Sequence, residues 1–237
     1  MGNIFRFFLY SLTVFILFGC SQADKKISCE DILEDAYSSS SLNNFEKSKF
    51  KDLLLNRYPE FDVMFQEAAE ETSIEKNLLA AISFQESQWD PRAKSNMGVR
   101  GMMMVTLETA ALVGVEKRLN PEQNIKGGAR YFAMLQEKNK IGMTYADKLS
   151  LTLASYNLGP TNIFNIANDI NEDVKNVSWN QIKEKLETLK NSEINIIEDS
   201  SYTRGQQAID YVDRIKSYYQ LLSAHACIAP KDQLAFF

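Results

Sequence analysis

This sequence is poor in the two residue types that most often build metal sites and thiol nucleophiles. It has one histidine and three cysteines among 237 residues. The single histidine, His225, lies two residues before Cys227, close to the C-terminus. A cysteine nucleophile needs a base that the fold holds beside it, and a metal site needs three or four ligands. We therefore expect neither a Cys–His catalytic pair nor a metal site, and no feature of the chain requires a cofactor.

Long apolar runs are also scarce, and the longest one, Phe7–Phe18, is too short for a comfortable membrane span. It follows one charged residue, Arg6, and leads into Leu17-Phe18-Gly19-Cys20, which resembles a bacterial lipobox. We interpret residues 1–19 as a lipoprotein signal peptide and Cys20 as the lipidated first residue of the mature chain. A plain secretory signal with a chance cysteine is the alternative.

An excess of positive charge is missing as well. Lysine and arginine number 26 and aspartate and glutamate 31, giving a formal net charge of −5. An acidic protein gains nothing from general attraction to nucleic acid or anionic lipid, so we expect no nucleic-acid partner. Membrane attachment must then come from the lipid on Cys20. Ser21 stands where aspartate retains many enterobacterial lipoproteins at the inner membrane, which favours the periplasmic side of the outer membrane.

The two cysteines that remain, Cys29 and Cys227, are a disulfide candidate in an exported protein. Such a bond would tie the start of the mature chain to its last helix and close a very long loop. Two free or buried thiols are the alternative.

Period-two alternation and internal repeats are both absent, whereas helix signals recur along the chain, so we predict a mostly α-helical protein. We divide it into the signal peptide over 1–19, a tether and N-terminal helical segment over 20–60, one helical domain over 61–226 and a C-terminal tail over 227–237. Residues 21–44 are expected to form the tether and 191–201 a loop. Helices are predicted at 45–58, 61–71, 73–88, 106–113, 120–138, 147–156, 178–190 and 203–226.

The predicted helix over 73–88 carries an acid where an apolar residue is expected. Glu86 lies on the same stripe as Leu79, Ile82 and Trp89. Burying an unpaired carboxylate is costly, and the usual escape is a raised pKa that keeps the acid protonated near neutral pH. The pattern therefore predicts a general acid at Glu86.

Both ends of this helix carry sequence signals. Thr72 and Glu75 have the spacing of a capping box at its start. Trp89-Asp90-Pro91 predicts its end, because Pro91 disfavours helical geometry at Asp90. The following loop has glycines that would let backbone approach a ligand. Gly127-Gly128, inside a later predicted helix, is costly by propensity and predicts a close contact there.

The stretch from Gln85 to Met104 resembles a known family, the lytic murein transglycosylases with a soluble-transglycosylase-type domain. The resemblance is closest to the membrane-bound lytic murein transglycosylase F group and extends over about residues 74–219. It is carried, in this order, by Gln85-Glu86-Ser87, by Ala93 with Ser95, and by Gly98-Val99-Arg100-Gly101-Met102-Met103-Met104.

The resemblance implies a lysozyme-like fold of the goose-type and transglycosylase kind for residues 61–226. It also implies cleavage of the β-1,4 bond between N-acetylmuramic acid and N-acetylglucosamine in peptidoglycan without water. One glutamate, Glu86, would act as acid and then as base, closing a 1,6-anhydro ring. The usual glycosidase has two carboxylates, and Asp90 is the nearest second one. A muramidase and a non-catalytic peptidoglycan-binding lipoprotein remain as alternatives.

Further site residues follow from the same resemblance. Ser95 matches a serine that hydrogen-bonds the sugar, and Met103 matches a methionine that packs in the groove. Tyr156 would hold its hydroxyl near the Glu86 carboxylate, Asn157 would orient the site, and Tyr211 would form a groove wall. From the residues alone, a turn serine, a core methionine and a core tyrosine with a capping asparagine are the alternatives.

Three features depart from the family pattern, and the first is Ser155, which replaces the usual alanine before Tyr156-Asn157. Met104 stands where the wider family usually has a glutamine that contacts the sugar, a departure that the F group shares. Full-length F-type enzymes also carry a large solute-binding-like module before the catalytic domain, and this chain has about 50 residues there.

Overall fold

The computed structural model describes residues 28–189 and 203–228. Within these ranges the chain forms ten α-helices, two short 3-10 helices and no β-strand, which confirms the predicted mostly α-helical class. The helices are α1 Cys29–Ser39, α2 Asn44–Asn56, α3 Asp62–Thr72, α4 Lys76–Ser87, α5 Leu107–Val113, α6 Pro121–Lys138, α7 Tyr145–Leu158, α8 Pro160–Ile170, α9 Trp179–Thr188 and α10 Arg204–His225. The 3-10 helices are Tyr58–Glu60 and Val174–Asn176.

Parts of the sequence interpretation lie outside the described residues. These are the signal peptide, Cys20 and Ser21, the predicted loop over 191–201 and most of the C-terminal tail. No helix in the described ranges is long and apolar enough to cross a membrane.

Helix α4 lies at the centre of the molecule and is held mainly by α10. All residues of α4 from Asn77 to Phe84 are buried, so protein surrounds this stretch on every side. Helix α10 packs against α4 and also contacts α1, α7 and α9. Phe84 of α4 meets Tyr218 of α10 edge to face, with ring centroids 4.5 Å apart. The α4–α10 pair is therefore the scaffold on which the site is built.

Capping residues explain where most helices begin. The signals at Asn120-Pro121 and Ser178 are confirmed: both side chains accept a hydrogen bond from the third helical N–H. The predicted Thr72–Glu75 box is wrong. Thr72 ends α3 and donates to Ala68 O, a left-handed Ser73 follows, and Glu75 caps α4 with its own carboxylate.

The tether prediction is wrong for residues 29–39, which form α1 against α10. This helix has a capping box between Ser28 and Asp31 but only one buried side chain, Ile32. A disulfide joins Cys29 to Cys227, and the Tyr37 hydroxyl lies 3.0 Å from Nε2 of His225. The disulfide and the Tyr37–His225 contact come from the far end of the chain, so the local hydrophobic pattern does not predict this helix.

Gly127 and Gly128 of α6 mark the close approach that the sequence predicts. A Cβ atom on Gly128 would overlap the side chain of Met103, and one on Gly127 would overlap Val115. Gly128 therefore lets α6 lie directly against the loop that follows α4, and Gly127 lets it lie against the segment that follows α5.

Candidate active site

Glu86 occupies the last turn of α4, where the buried helix reaches the surface. The residue is partly exposed, although protein surrounds most of its carboxyl group. The Tyr211 hydroxyl on α10 donates a hydrogen bond of 2.7 Å to Oε1 of Glu86. The packing of α4 against α10 thus brings Glu86 and Tyr211 together, although they are far apart in the sequence.

Burial sets the protonation chemistry of this pair. It raises the pKa of Glu86 to about 7, and the hydrogen bond from Tyr211 opposes part of that rise. Burial and the neighbouring Glu86 carboxylate keep the pKa of Tyr211 well above its ordinary value. Near neutral pH the carboxyl group can therefore hold or release a proton while the phenol stays neutral.

Tyr156 lies near this pair, but its hydroxyl has another partner. Burial, followed by the negative charge of Glu86, raises the pKa of Tyr156 well above its ordinary value. Its hydroxyl donates to the Met103 carbonyl at 2.8 Å. The expected neighbour of the acid is thus close to it, while the direct hydrogen bond comes from Tyr211, which the resemblance gave only as a groove wall.

The loop that carries Met102–Met104, which we call the methionine loop, is fixed to both neighbouring helices. Ser83 and Ser87 of α4 donate to the Met102 carbonyl at 3.1 and 2.8 Å. On the α6 side, Oδ1 of Asn124 accepts the Met103 N–H at 2.7 Å. Asn124 is fully buried, and the sequence interpretation missed it because it resembles any other polar residue in the first turn of a helix.

Met103 has a different position from the one that the resemblance suggests, whereas Met104 lies in the cleft wall. Met103 is fully buried and supports the site from beneath, against Gly128. Met104 has a φ of +46° and lines a cleft beside the site. The side chain that faces the cleft is therefore the one at the position of the family glutamine.

This cleft has a volume of about 460 Å³ and lies between α5 and the junction of α7 with α8. Tyr156 and Asn157 form part of its wall, together with Thr106 and Glu108. Oδ1 of Asn157 is buried and has no hydrogen-bond partner within the described part of the chain. A buried acceptor without a partner is costly, so it is suited to a donor on a ligand.

Ser95 and Asp90 lie in the segment between α4 and the methionine loop. Ser95 forms a turn, in which its Oγ accepts from the Val99 N–H at 3.2 Å. The chain leaves α4 through left-handed Gln88 and Trp89, and Asp90 then accepts from the Arg92 N–H at 2.9 Å. Both side chains have local structural partners, so neither hydrogen bond marks a catalytic role.

Tyr211 could not be singled out by periodicity, because an aromatic residue on the buried face of α10 reads as core. Over the ranges that the structure describes, no three His, Cys, Asp or Glu side chains are grouped as metal ligands.

Comparison with protein families places this sequence in a known group. The family model for the transglycosylase SLT domain matches residues 63–184. Membrane-bound lytic murein transglycosylase F 1 of Alkalilimnicola ehrlichii is 39% identical over 176 residues, covering 73% of this chain and 35% of that protein. Its Aeromonas hydrophila counterpart is 40% identical over 165 residues, covering 69% and 33%. The predicted resemblance is confirmed, and the chain spans about a third of the length of these curated relatives.

Solved structures agree on the fold. The 70 kDa soluble lytic transglycosylase of Escherichia coli matches 89% of this chain and 33% of its own, with a TM-score of 0.51 at 16% identity. An inactive mutant of lytic transglycosylase Slt from Pseudomonas aeruginosa matches 85% and 31%, with a TM-score of 0.50 at 16% identity. This likeness confirms the predicted lysozyme-like fold.

Proposed function

Because this chain belongs to the transglycosylase SLT domain family, we propose that it is a lytic transglycosylase of the bacterial cell wall. Its substrate is peptidoglycan, and the bond it breaks is the β-1,4 link between N-acetylmuramic acid and N-acetylglucosamine. The observation that carries the proposal is a single glutamate, Glu86, whose pKa is raised to about 7 beside a ligand-sized cleft.

The reaction uses that one carboxyl group twice. Protonated Glu86 first donates its proton to the glycosidic oxygen as the bond from C1 of muramic acid to that oxygen breaks. The resulting carboxylate then takes the proton of the C6 hydroxyl while the C6 oxygen bonds to C1. This closes the 1,6-anhydro ring and returns Glu86 to its acid form. A pKa near the working pH suits both halves of the cycle.

A second carboxylate is not required if the substrate's own acetamido group stabilises the positive charge at C1. Asp90 then has only a structural role, in the turn that follows α4. Tyr211 holds Glu86 in place through its hydrogen bond. The same bond opposes part of the rise in the pKa of Glu86 that burial causes.

The remaining site residues bind the glycan. Asn157 offers a substrate N–H or hydroxyl its Oδ1, which has no hydrogen-bond partner among the described residues. Ser95 contributes its hydroxyl hydrogen, while Tyr156 and the buried Met103 fix the cleft wall and its support.

Position in the cell follows from the N-terminal pattern. The protein is anchored by lipid on Cys20 to the periplasmic side of the outer membrane, with glycan strands as its partner. The family likeness to enzymes named membrane-bound supports association with the envelope. Labelling with a fatty-acid probe, lost in Cys20→Ala, tests the anchor.

Mass spectrometry of the muropeptides that the full-length protein releases from purified sacculi tests the activity. Products ending in 1,6-anhydro-N-acetylmuramic acid are expected from the parent and from Glu122→Gln, an exposed control, and not from Glu86→Gln. Reducing-end products would make the protein a muramidase and return attention to Asp90. Binding to sacculi without release would favour a non-catalytic binding lipoprotein.

A further inference from the structure

One charged residue in the wall of the cleft has no counterion in the described part of the chain. This residue is Glu108, which lies in the first turn of α5 and is exposed. No ion pair within residues 28–189 and 203–228 involves it. By contrast, Glu67 and Glu122 both lie against Lys126. The carboxylate of Glu108 is therefore available to a positive charge on a ligand.

The rest of the described cleft wall offers acceptors and no cation. None of the described residues that line the cleft is Lys, Arg or His. The Tyr156 hydroxyl donates to the Met103 carbonyl and the Thr106 hydroxyl donates to Oγ1 of Thr109, so both of these protons are already used inside the protein. Oδ1 of Asn157 is a buried acceptor without a partner among the described residues. This wall suits a ligand that supplies hydrogen-bond donors and a positive charge.

The charge of Glu108 acts on the aromatic part of the wall. Burial, and then the negative charge of Glu108, raise the pKa of Tyr131. The rings of Tyr131 and Tyr156 lie next to each other, with centroids 5.5 Å apart. Aromatic faces attract cations, so the two rings add to the preference that the carboxylate creates. A cation bound by Glu108 would thus lie inside the cleft and beside the residues that contact the glycan.

We propose that Glu108 binds the free ammonium group of a glucosamine residue, so that the enzyme prefers glycan strands whose N-acetylglucosamine has lost its acetyl group. This inference rests on the proposed function. An acetamido group is neutral, whereas a free 2-amino group is a cation with three hydrogen-bond donors once it is protonated. Glucosamine alternates with muramic acid along the strand, so a glucosamine enters the cleft with every muramic acid that reaches Glu86.

The proposed reaction decides which of the two sugars carries the ammonium group. It uses the acetamido group of muramic acid to stabilise the positive charge at C1. Muramic acid must therefore keep its acetyl group, and the free amine must belong to glucosamine.

The test compares two soluble substrates without stem peptides: fully acetylated glycan strands, and the same strands after a deacetylase has freed the glucosamine amines. Removing the peptides excludes their amines as the source of the cation. The assay is run at about pH 6, below the pKa of about 7 of Glu86, and measures the release of anhydro ends.

The full-length parent in detergent should show a kcat/KM about fivefold higher on the de-N-acetylated strands. Glu108→Gln should lose this preference while staying within about twofold of the parent on acetylated strands. Glu116→Gln removes an exposed acid outside the cleft wall and should match the parent on both substrates.

Salt gives a second measurement that a merely structural role of Glu108 would not move. Because salt screens exposed charges, the preference of the parent should shrink between about 0.05 and 0.5 M NaCl, while Glu108→Gln should show no such change. Equal losses on both substrates, no loss on either, or a parental preference that salt leaves unchanged would overturn the assignment of Glu108. Failure of the proposed function looks different, because the parent itself would then release no anhydro product from either substrate.

Discussion

The Tyr211 hydroxyl donates a 2.7 Å hydrogen bond to Oε1 of Glu86, joining residues 125 positions apart in the sequence. Both side chains come from helices that pack tightly on each other, and Tyr211 is buried. The phenol cannot leave without opening the core. This bond therefore fixes where the carboxyl group lies and moderates how strongly it holds its proton.

Tyr211→Phe should weaken catalysis and shift its pH dependence. The phenol hydrogen bond lowers the pKa of Glu86, so its loss should raise that pKa above about 7. The descending limb of the pH–rate profile, where Glu86 loses its proton, should move to higher pH. The value of kcat should fall on the order of 10- to 100-fold. The pH profile of kcat/KM measures the shift, and kcat at saturating substrate measures the fall.

Tyr218→Phe, on the same buried helix, is the matched control and should leave the profile in place. If Tyr211→Phe retained the parental pH profile, the hydrogen bond would have no part in setting the pKa of Glu86.

Glu86→Gln should stabilise the protein above neutral pH. The folded pKa of about 7 exceeds the ordinary 4.5, so the folded state holds the proton more tightly than the unfolded state. Stability is then lost as pH rises from about 4.5 to about 7, by about 3 kcal/mol in total. Glutamine removes this loss, because it does not ionise.

Urea unfolding at pH 4 and pH 8 tests this linkage. The variant should exceed the parent at pH 8 and approach it at pH 4. A constant difference across that range would show that Glu86 does not carry a raised pKa.

Local signals were enough to predict eight of the ten α-helices in the described residues, all but α1 and α8, and the raised pKa of Glu86. Capping at Asn120 and Ser178 depends on neighbours three residues away, and Glu86 stands out because it breaks an apolar stripe. Helix α1 was missed because its stability depends on Cys227 and His225 at the other end of the chain.

The support of the site was less accessible to sequence reasoning. The hydrogen bonds of Tyr211 to the acid and of Asn124 to the methionine loop join distant segments, and neither residue type is unusual on a helix. Only the resemblance gave Tyr211 a place near the groove. The Asn124 contact required the folded structure.

Gly128→Ala should destabilise the fold and disturb the site. The added Cβ would overlap Met103, whose carbonyl accepts the Tyr156 hydroxyl. Overpacking of this kind costs about 1–3 kcal/mol, whereas alanine at an open helical position would be favourable. Thermal unfolding should show the loss, and kcat should fall with it. Glu137→Ala, exposed on the same helix, should change neither, and a neutral Gly128→Ala would mean that α6 does not need this close approach.

Breaking the Cys29–Cys227 disulfide should cost stability while sparing the chemistry. The bond spans a sequence separation of 198, for which the chain-entropy model gives about 5 kcal/mol at 25 °C. Tyr211 lies about 21 Å along α10 from His225, at 1.5 Å per residue, so loosening α1 should leave the Glu86 pair intact.

Urea unfolding of Cys29→Ser/Cys227→Ser should therefore show a much lower midpoint, with kcat at 25 °C within about twofold of the parent. Reductant should reproduce the shift in the parent and add nothing in the double variant. A parallel loss of kcat in fully folded protein would contradict this separation, because it would mean that α1 reaches the catalytic pair through α10.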